Sequence, residues 1–318
     1  MSAVLVETFP NRDFRHVVSV SLGSAKRNPS FETNLLGQKF LIERVAPGDY
    51  FAAQELFEAL DGKVDAFGLG GIDLYITGPT KRFELVQARR LIENVRLTPV
   101  VDGTGIKNTL EARVIRQLVE RNLFPIRGQE VFVTCGMDRP GMARALFEAG
   151  GKMTFGDLIL TLKIDEPITS LEVLEARAEK LLPAIARLPI GELYRIGKRQ
   201  DEPPDLTFRQ YFDTADIIAG DFHFILGYAP MELPDKIIIT NTVTPENIED
   251  LRRRGVGWLV TTTPDMGGRS FGTNVLEAVF VALLGALDGL ASEDIDPLRD
   301  YPPLIERLNL QPRIERLD

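Results

Sequence analysis

The segment VVDGTGIKNTLE sets Asp102 and Lys107 on either side of a glycine turn. A lysine that faces a carbonyl, with an aspartate to tune it, is the chemistry of a proton relay for hydride transfer. The plainer alternative is a solvated Asp and Lys on a surface loop. A second constellation is VFVTCGMDRPGMARALFEAGG, which reads as strand, turn and helix. Free backbone N–H groups and the positive end of a helix dipole favour an anion at such a turn. In the dinucleotide fingerprint G-x-G-x-x-G, Gly136 and Gly141 fill the outer glycine positions and Asp138 replaces the middle one. Arg139 could offset that charge or bind a phosphate itself. Pro140 opens the helix where its missing donor would be orphaned anyway. Asp157 stands where a carboxylate would hold a ribose hydroxyl, which favours NAD over NADP because it repels a 2′-phosphate. Two readings stay open: a dinucleotide in an altered pose over Met137–Pro140, or a turn that has lost dinucleotide binding.

Other candidate ligand groups lie at strand ends. Ligands of open α/β sheets bind outside the carboxyl ends of the strands, and those ends read AGDFHF, TNTV and TTTPDMGGRSFGTN. Asn241 and Thr262 are the cofactor-binding candidates there, although strand ends need turn residues in any case. GSAKRN offers Ser24, Lys26 and Arg27 to an acidic substrate. Asn108, beside Lys107, and Arg269, from the other domain, complete the substrate-binding set. Gly68, Gly70 and Gly71 could form a close-packed floor of the cleft. His223 could titrate near neutral pH, but a lone histidine is more often structural. Cys135 reads as a small hydrophobe.

The elements that must position these residues alternate. Strands are expected at RHVVSVSL, KFLIERV, within VDAFGLGGIDLYI on both sides of its glycine turn, and at TPVV. Helices are expected at FAAQELFEAL and KRFELVQARRLIENV, and from Asn108-Thr109-Leu110-Glu111, which has a capping-box pattern. After a break at Pro125–Gln129 come strands VFVT and KMTFGD, the helix SLEVLEARAEKLLPAIARL, and strands ADIIAGD, KIIITNTV and GWLVTTT. Thr244 and Pro245 cap and open another helix. NVLEAVFVALLGAL is apolar nearly all round and should be buried on most sides. Alternation of this kind implies an α/β fold with parallel strands. Two α/β domains are expected, a substrate domain over residues 1–128 and a Rossmann-like, mostly parallel sheet over 129–318 whose C-terminal helices pack back.

Bulk composition fits this reading. The chain has 318 residues, too many for one ordinary core, with 44% apolar and 26% charged residues. A formal net charge of -9 argues against a nucleic-acid surface. One cysteine and two distant histidines give no disulfide and no metal site. No apolar run approaches the roughly 20 residues that span a bilayer, and no signal-peptide pattern opens the chain. A cytoplasmic location is expected, with no membrane partner; a homodimer is left open.

Several strings carry a family resemblance: HVVSVSLGSAKR, KVDAFGLGGIDLY, PVVDGTGIKNTLE, MDRPGMA and TTTPDMGGRSFGTNVLEA. On these, the chain resembles a bacterial family of Rossmann-type proteins labelled quinate 5-dehydrogenase-like, over nearly its whole length. It is more loosely similar to shikimate and quinate dehydrogenases. That resemblance implies a substrate domain followed by a Rossmann domain, a last helix returning to the first domain, and a lysine and an aspartate at the cleft, for which Lys107 and Asp102 are the nearest candidates. The order of that pair is reversed here, and the family's N-terminal serine pair is only hinted at in SLGSAKRNPS.

The function expected is therefore an NAD-dependent oxidoreductase acting on a small hydroxy acid such as quinate or shikimate. A non-catalytic Rossmann-like protein that binds an anionic metabolite or nucleotide is the alternative, supported by Asp138. No G-x-x-x-x-G-K-[ST] or G-x-S-x-G sequence occurs, which argues against P-loop and hydrolase chemistry.

Overall fold

The run Val17-Val18-Ser19-Val20 leaves no outward polar face, so strand β1 (Arg15–Ser21) is buried on both sides, as the central strand of a parallel sheet must be. In the computed structural model, which describes residues 13–23, 29–78, 80–194, 202–266 and 269–317, two sheets form around such strands. Strands β2 (Ser30–Leu35) and β3 (Gln38–Val45) make an antiparallel hairpin. Its two-residue turn, Leu36-Gly37, has positive φ at both positions (52° and 82°), the geometry that matches strand twist. β2 is absent from the sequence expectation because SFETNL alternates exposed and half-buried residues, the mark of a solvated edge rather than of a buried strand.

Helix α1 (Tyr50–Leu60) then leads to β4 (Ala66–Gly70), parallel to β1. Strands β5 (Tyr75–Thr77) and β6 (Arg82–Glu84) form a separate hairpin, followed by the short helix α2 (Val86–Leu91). The single helix expected over 81–95 is thus shorter and begins with a strand, since Arg82–Glu84 pair with β5. β7 (Val100–Val101) completes a five-stranded sheet ordered β2-β3-β1-β4-β7.

Helix α3 (Thr104–Glu120) starts four residues before the Asn108 cap expected from sequence. Gly103 takes a left-handed φ of 96°, open to glycine, and Asp102 accepts from the Thr104 amide at 2.9 Å. Asn108 lies inside the helix, its amide donating back to the Thr104 carbonyl at 2.9 Å.

The second sheet begins with β8 (Glu130–Val133), α4 (Pro140–Glu148) and β9 (Lys152–Phe155), the strand–turn–helix–strand unit expected from sequence. A π-helical turn (Asp157–Thr161) and helices α5 (Leu171–Ile185), α6 (Ile190–Leu193) and α7 (Arg209–Thr214) follow. The remaining elements are β10 (Ile217–Ala219), α8 (Phe222–Leu226), β11 (Ile237–Thr240), α9 (Pro245–Arg253) and β12 (Trp258–Thr261). The small pair β13 (Asp265–Met266) and β14 (Arg269–Ser270) precedes α10 (Thr273–Asp288), α11 (Pro297–Arg307) and β15 (Arg313–Arg316). The order is β15-β12-β11-β10-β8-β9, parallel except for β15 at the edge. The fold is α/β with two α/β domains, the C-terminal one Rossmann-like.

Helix α10 crosses from the second sheet's chain to pack on β1, β4 and β7 of the first, and α11 packs on α3. Buried residues run without a break from Val275 to Leu284, so α10 is enclosed nearly all round. Gly68 permits this: a Cβ there would stand 2.8 Å from the Asn274 carbonyl oxygen. Among the described residues, no helix is long and apolar enough to cross a membrane.

Candidate functional site

The carboxyl ends of both sheets converge on one cavity of about 260 Å³. At its polar end Lys107, buried on α3, donates to Asp73 Oδ1 at 2.5 Å and to Asp138 Oδ1 at 2.6 Å. Asp73 follows β4, and Asp138 belongs to the turn between β8 and α4, so the ammonium ties the two domains together. The Tyr194 hydroxyl donates to Asp73 Oδ2 at 2.9 Å.

Burial alone would lower the Lys107 pKa, but the charges of Asp138 and Asp73 outweigh it and hold the ammonium above its ordinary value. The two carboxyls are pushed apart. Burial, and then the charge of Asp138, raise Asp73 well above the usual carboxylate range. Burial would raise Asp138 as well, but Lys107 and Arg139 bring it down to about 2. Asp73 therefore gives up its proton at higher pH than Asp138 does. Environments that separate two titratable groups in this way assign acid and base roles.

Behind this cluster lies a buried ion network. Arg139 contacts Glu111 on α3 and reaches Asp221 Oδ2 at 3.2 Å. Asn241 donates to the same Asp221 oxygen at 3.1 Å. Thr262 lies 3.5 Å from Glu111 Oε1. Arg139 is 2% exposed, and its two terminal nitrogens face the carboxylates of Glu111 and Asp221, which places it as a support of the turn.

Asp157 does not face outward for a ribose. Its carboxylate accepts from the backbone amides of Gly136 at 2.9 Å and Met137 at 2.8 Å, and from the Cys135 thiol at 3.4 Å. Burial raises its pKa, and the Met137 and Gly136 amides pull the other way. The anion site of the turn is thus filled from within. Pro140 has no N–H to add, and Asp138 projects a carboxylate at the middle glycine position. The residues present do not fit a dinucleotide diphosphate in the pose that the fingerprint implies.

The outer glycines serve packing. A Cβ at Gly136 would meet Leu174 at 2.8 Å and Phe155 at 2.9 Å, and one at Gly141 would meet the Lys107 carbonyl oxygen at 2.5 Å. Gly141 lets α4 lie directly against α3.

The residue model of one family, described as a domain of unknown function (DUF8754), matches residues 105–317, and a second, also described as a domain of unknown function (DUF8753), matches residues 16–102. The chain belongs to the DUF8754 family. No curated protein matches it in sequence. Among solved structures, GanP, a glucose-galactose binding protein from Geobacillus stearothermophilus, is 11% identical, with 96% of this chain and 98% of that chain covered and a TM-score of 0.38. A sugar ABC transport system substrate-binding protein from Bordetella parapertussis is 12% identical over 91% of this chain and 85% of its own, with a TM-score of 0.34. NAD-dependent malic enzyme from Thermotoga maritima is 14% identical over 80% and 68%, with a TM-score of 0.32.

In this DUF8754 member the sequence candidates divide. Lys107, Asp102, Asp138, Arg139, Asp157 and Asn241 line the cavity. Gly136, Pro140, Gly141, Thr262 and Asn108 stand behind its wall. Asp102 is not the partner of Lys107. Its carboxylate accepts from the Leu74 and Tyr75 amides at 2.6 and 2.9 Å, which fixes the loop that presents Asp73. Ser24, Lys26 and Arg27, and the side chain of Arg269, lie outside the described residues. Among the described residues, no group of three His, Cys, Asp or Glu side chains could hold a metal ion.

Asp73, Tyr194, Glu111 and Asp221 are not among the site residues expected from the sequence, although Glu111 belongs to the capping-box pattern and Asp221 lies in the strand end AGDFHF. Asp73 had a local signal, because GLGGID ends a buried strand with an acid. The others reach the site only through tertiary contacts. A further corner is built by Ser21, whose Oγ accepts from Arg44 at 2.9 Å, and by Ser19, whose Oγ accepts from Asn274 at 2.8 Å. Ser19 and Ser21 share one face of β1 by the two-residue period of a strand.

Proposed function

We propose that the cleft binds a small hydroxy or keto acid and polarises its oxygen, without a dinucleotide on the 136–141 turn. The observation that supports this reading is Lys107, held cationic between Asp73 and Asp138 on the cavity wall. An ammonium fixed in that state stabilises negative charge developing on a substrate oxygen. Asp73, the weaker acid of the two carboxyls, is the group placed to exchange a proton with that oxygen. The acid group lies at the Arg44–Ser21 and Ser19–Asn274 corner, where a guanidinium and hydroxyls suit a carboxylate. Quinate and shikimate, implied by the sequence resemblance, fall within this class.

Calorimetric titration and thermal shift with quinate, shikimate and simple 2-hydroxy acids test the reading. Saturable binding that Lys107→Met and Arg44→Gln each weaken at least tenfold is expected. Failure of every acid to bind the unaltered protein would sink it.

A second reading, an NAD-dependent hydroxy-acid dehydrogenase, is favoured by the β8–turn–α4 unit and its place in a parallel sheet. It requires the dinucleotide to be held away from the Gly136 and Met137 amides. Saturable NADH binding together with acid-dependent NADH formation would establish this second reading over the first.

A further inference from the structure

The polar end of the cavity accounts for only part of its wall. The lining also includes Ile76, Leu162, Leu181, Ile185 and Leu193. These side chains are half-buried, although they sit inside a concave site. They come from β5, the turn after β9, α5 and α6, so no single amphipathic stripe explains them. Helix α5 already buries its core face through Leu171, Leu174, Ala178 and Leu182. Leu181 and Ile185, four residues apart and so on one face, flank that core and line the cavity together with Leu182.

This wall is fixed to both domains. The Val86 amide donates to the Ala186 carbonyl at 3.0 Å, and the Ile190 amide to Gln87 Oε1 at 2.8 Å. Those bonds dock the end of α5 and the start of α6 on the first domain. Leu193 then precedes Tyr194, whose hydroxyl donates to Asp73. The apolar wall therefore begins where the charged cluster ends.

We propose that the ligand of this cleft has an apolar body of several carbons: a medium-chain or ring-bearing hydroxy or keto acid rather than a polyhydroxylated one. This inference rests on the acid-binding reading above and narrows its substrate class. Ligand sites pair a mostly apolar lining with a few placed polar groups. A polyhydroxylated ring would set hydroxyls against the side chains of Leu181 and Ile185, which can neither accept nor donate, and an unmet hydroxyl in such surroundings is unfavourable. An alkyl or aryl body removes the same surface from water.

The experiment is calorimetric titration of the full chain with lactate, 2-hydroxybutyrate, 2-hydroxyhexanoate, 3-phenyllactate and quinate, with 1,2-hexanediol as an acid-free probe. Affinity is expected to rise roughly fourfold per methylene from lactate to 2-hydroxyhexanoate, with quinate weaker than the six-carbon acid. Leu181→Ser and, independently, Ile185→Thr flatten this series, weakening 2-hydroxyhexanoate several-fold more than lactate. A flat series, or quinate binding more tightly than 2-hydroxyhexanoate, overturns the proposal. If no acid binds but the diol does, and Leu181→Ser abolishes it, the apolar site stands and the acid corner fails. If neither acids nor diol bind, both fail.

Discussion

The Asp157 carboxylate lies 2.9 Å from the Gly136 amide and accepts its hydrogen bond, so an internal anion occupies the turn that would otherwise cradle a phosphate. The same carboxylate takes the Met137 amide at 2.8 Å. Removing it by Asp157→Ala orphans two buried donors, which should cost about 1–3 kcal/mol for each unmet group. Inorganic phosphate should restore part of that loss in the variant and leave the unaltered protein unaffected. Thermal shift with and without phosphate reads both. Equal stabilisation of the two proteins by phosphate would contradict an internally filled turn.

Lys107 has two carboxyl partners of unequal character, and the inequality is testable. Asp138 is held as the stronger acid and Asp73 as the weaker, so Asp73→Asn should cost less stability than Asp138→Asn. When Asp138 is lost, Asp73 can ionise and answer the ammonium. The double variant leaves a buried cation without either carboxylate, and stranding a buried charge costs about 3–5 kcal/mol. The double substitution should therefore exceed the sum of the single ones in urea denaturation. Simple additivity would show that the two carboxyls do not substitute for each other.

The contact between α3 and α4 sets where Lys107 stands. A Cβ at Gly141 would come 2.5 Å from the Lys107 carbonyl oxygen and 3.0 Å from the Asn108 Cα, both backbone atoms that cannot turn aside. Gly141→Ala should cost about 1–3 kcal/mol, as overpacking typically does, although alanine is the better helix former. Denaturation midpoints would measure it, and a stabilised variant would show that the two helices are not in close contact.

The alternation of strands and helices was legible because buried parallel strands are written as short branched apolar runs, as at Ile237-Ile238-Ile239. The β8–turn–α4 unit was legible because Pro140 and Gly150 mark its helix locally. The site was legible only in part. Lys107 and Asp138 stand out in their own segments, but nothing local joins Lys107 to Asp73, which approaches it through the β4 crossover. Asp102 bonds to the Leu74 and Tyr75 amides and not to Lys107, and these partners are backbone groups that a sequence does not display. The start of α3 was misplaced for a related reason. One of its amides, on Gly105, is met by Glu277, 172 positions away.

That distant cap gives the protein a pH dependence with a definite sign. Glu277 is buried on α10 and accepts from the Gly105 amide at 3.2 Å and from the Tyr301 hydroxyl at 3.1 Å, with no cation beside it in those bonds. Burial, and then the charge of Asp102, push its carboxyl up to about 8. The native state then binds a proton that the unfolded chain has released above its ordinary value of 4.5. Where the folded form holds more protons, stability falls as pH rises. The contribution is complete below the unfolded value and is lost as pH climbs through about 8. Glu277→Gln keeps an acceptor oxygen for Gly105 and Tyr301 but does not titrate. Its melting temperature relative to the unaltered protein should therefore rise steadily between pH 5 and pH 9, favouring the variant at the alkaline end. Parallel melting profiles across that range would mean that Glu277 is already ionised in the fold and that α3 is capped by a full negative charge.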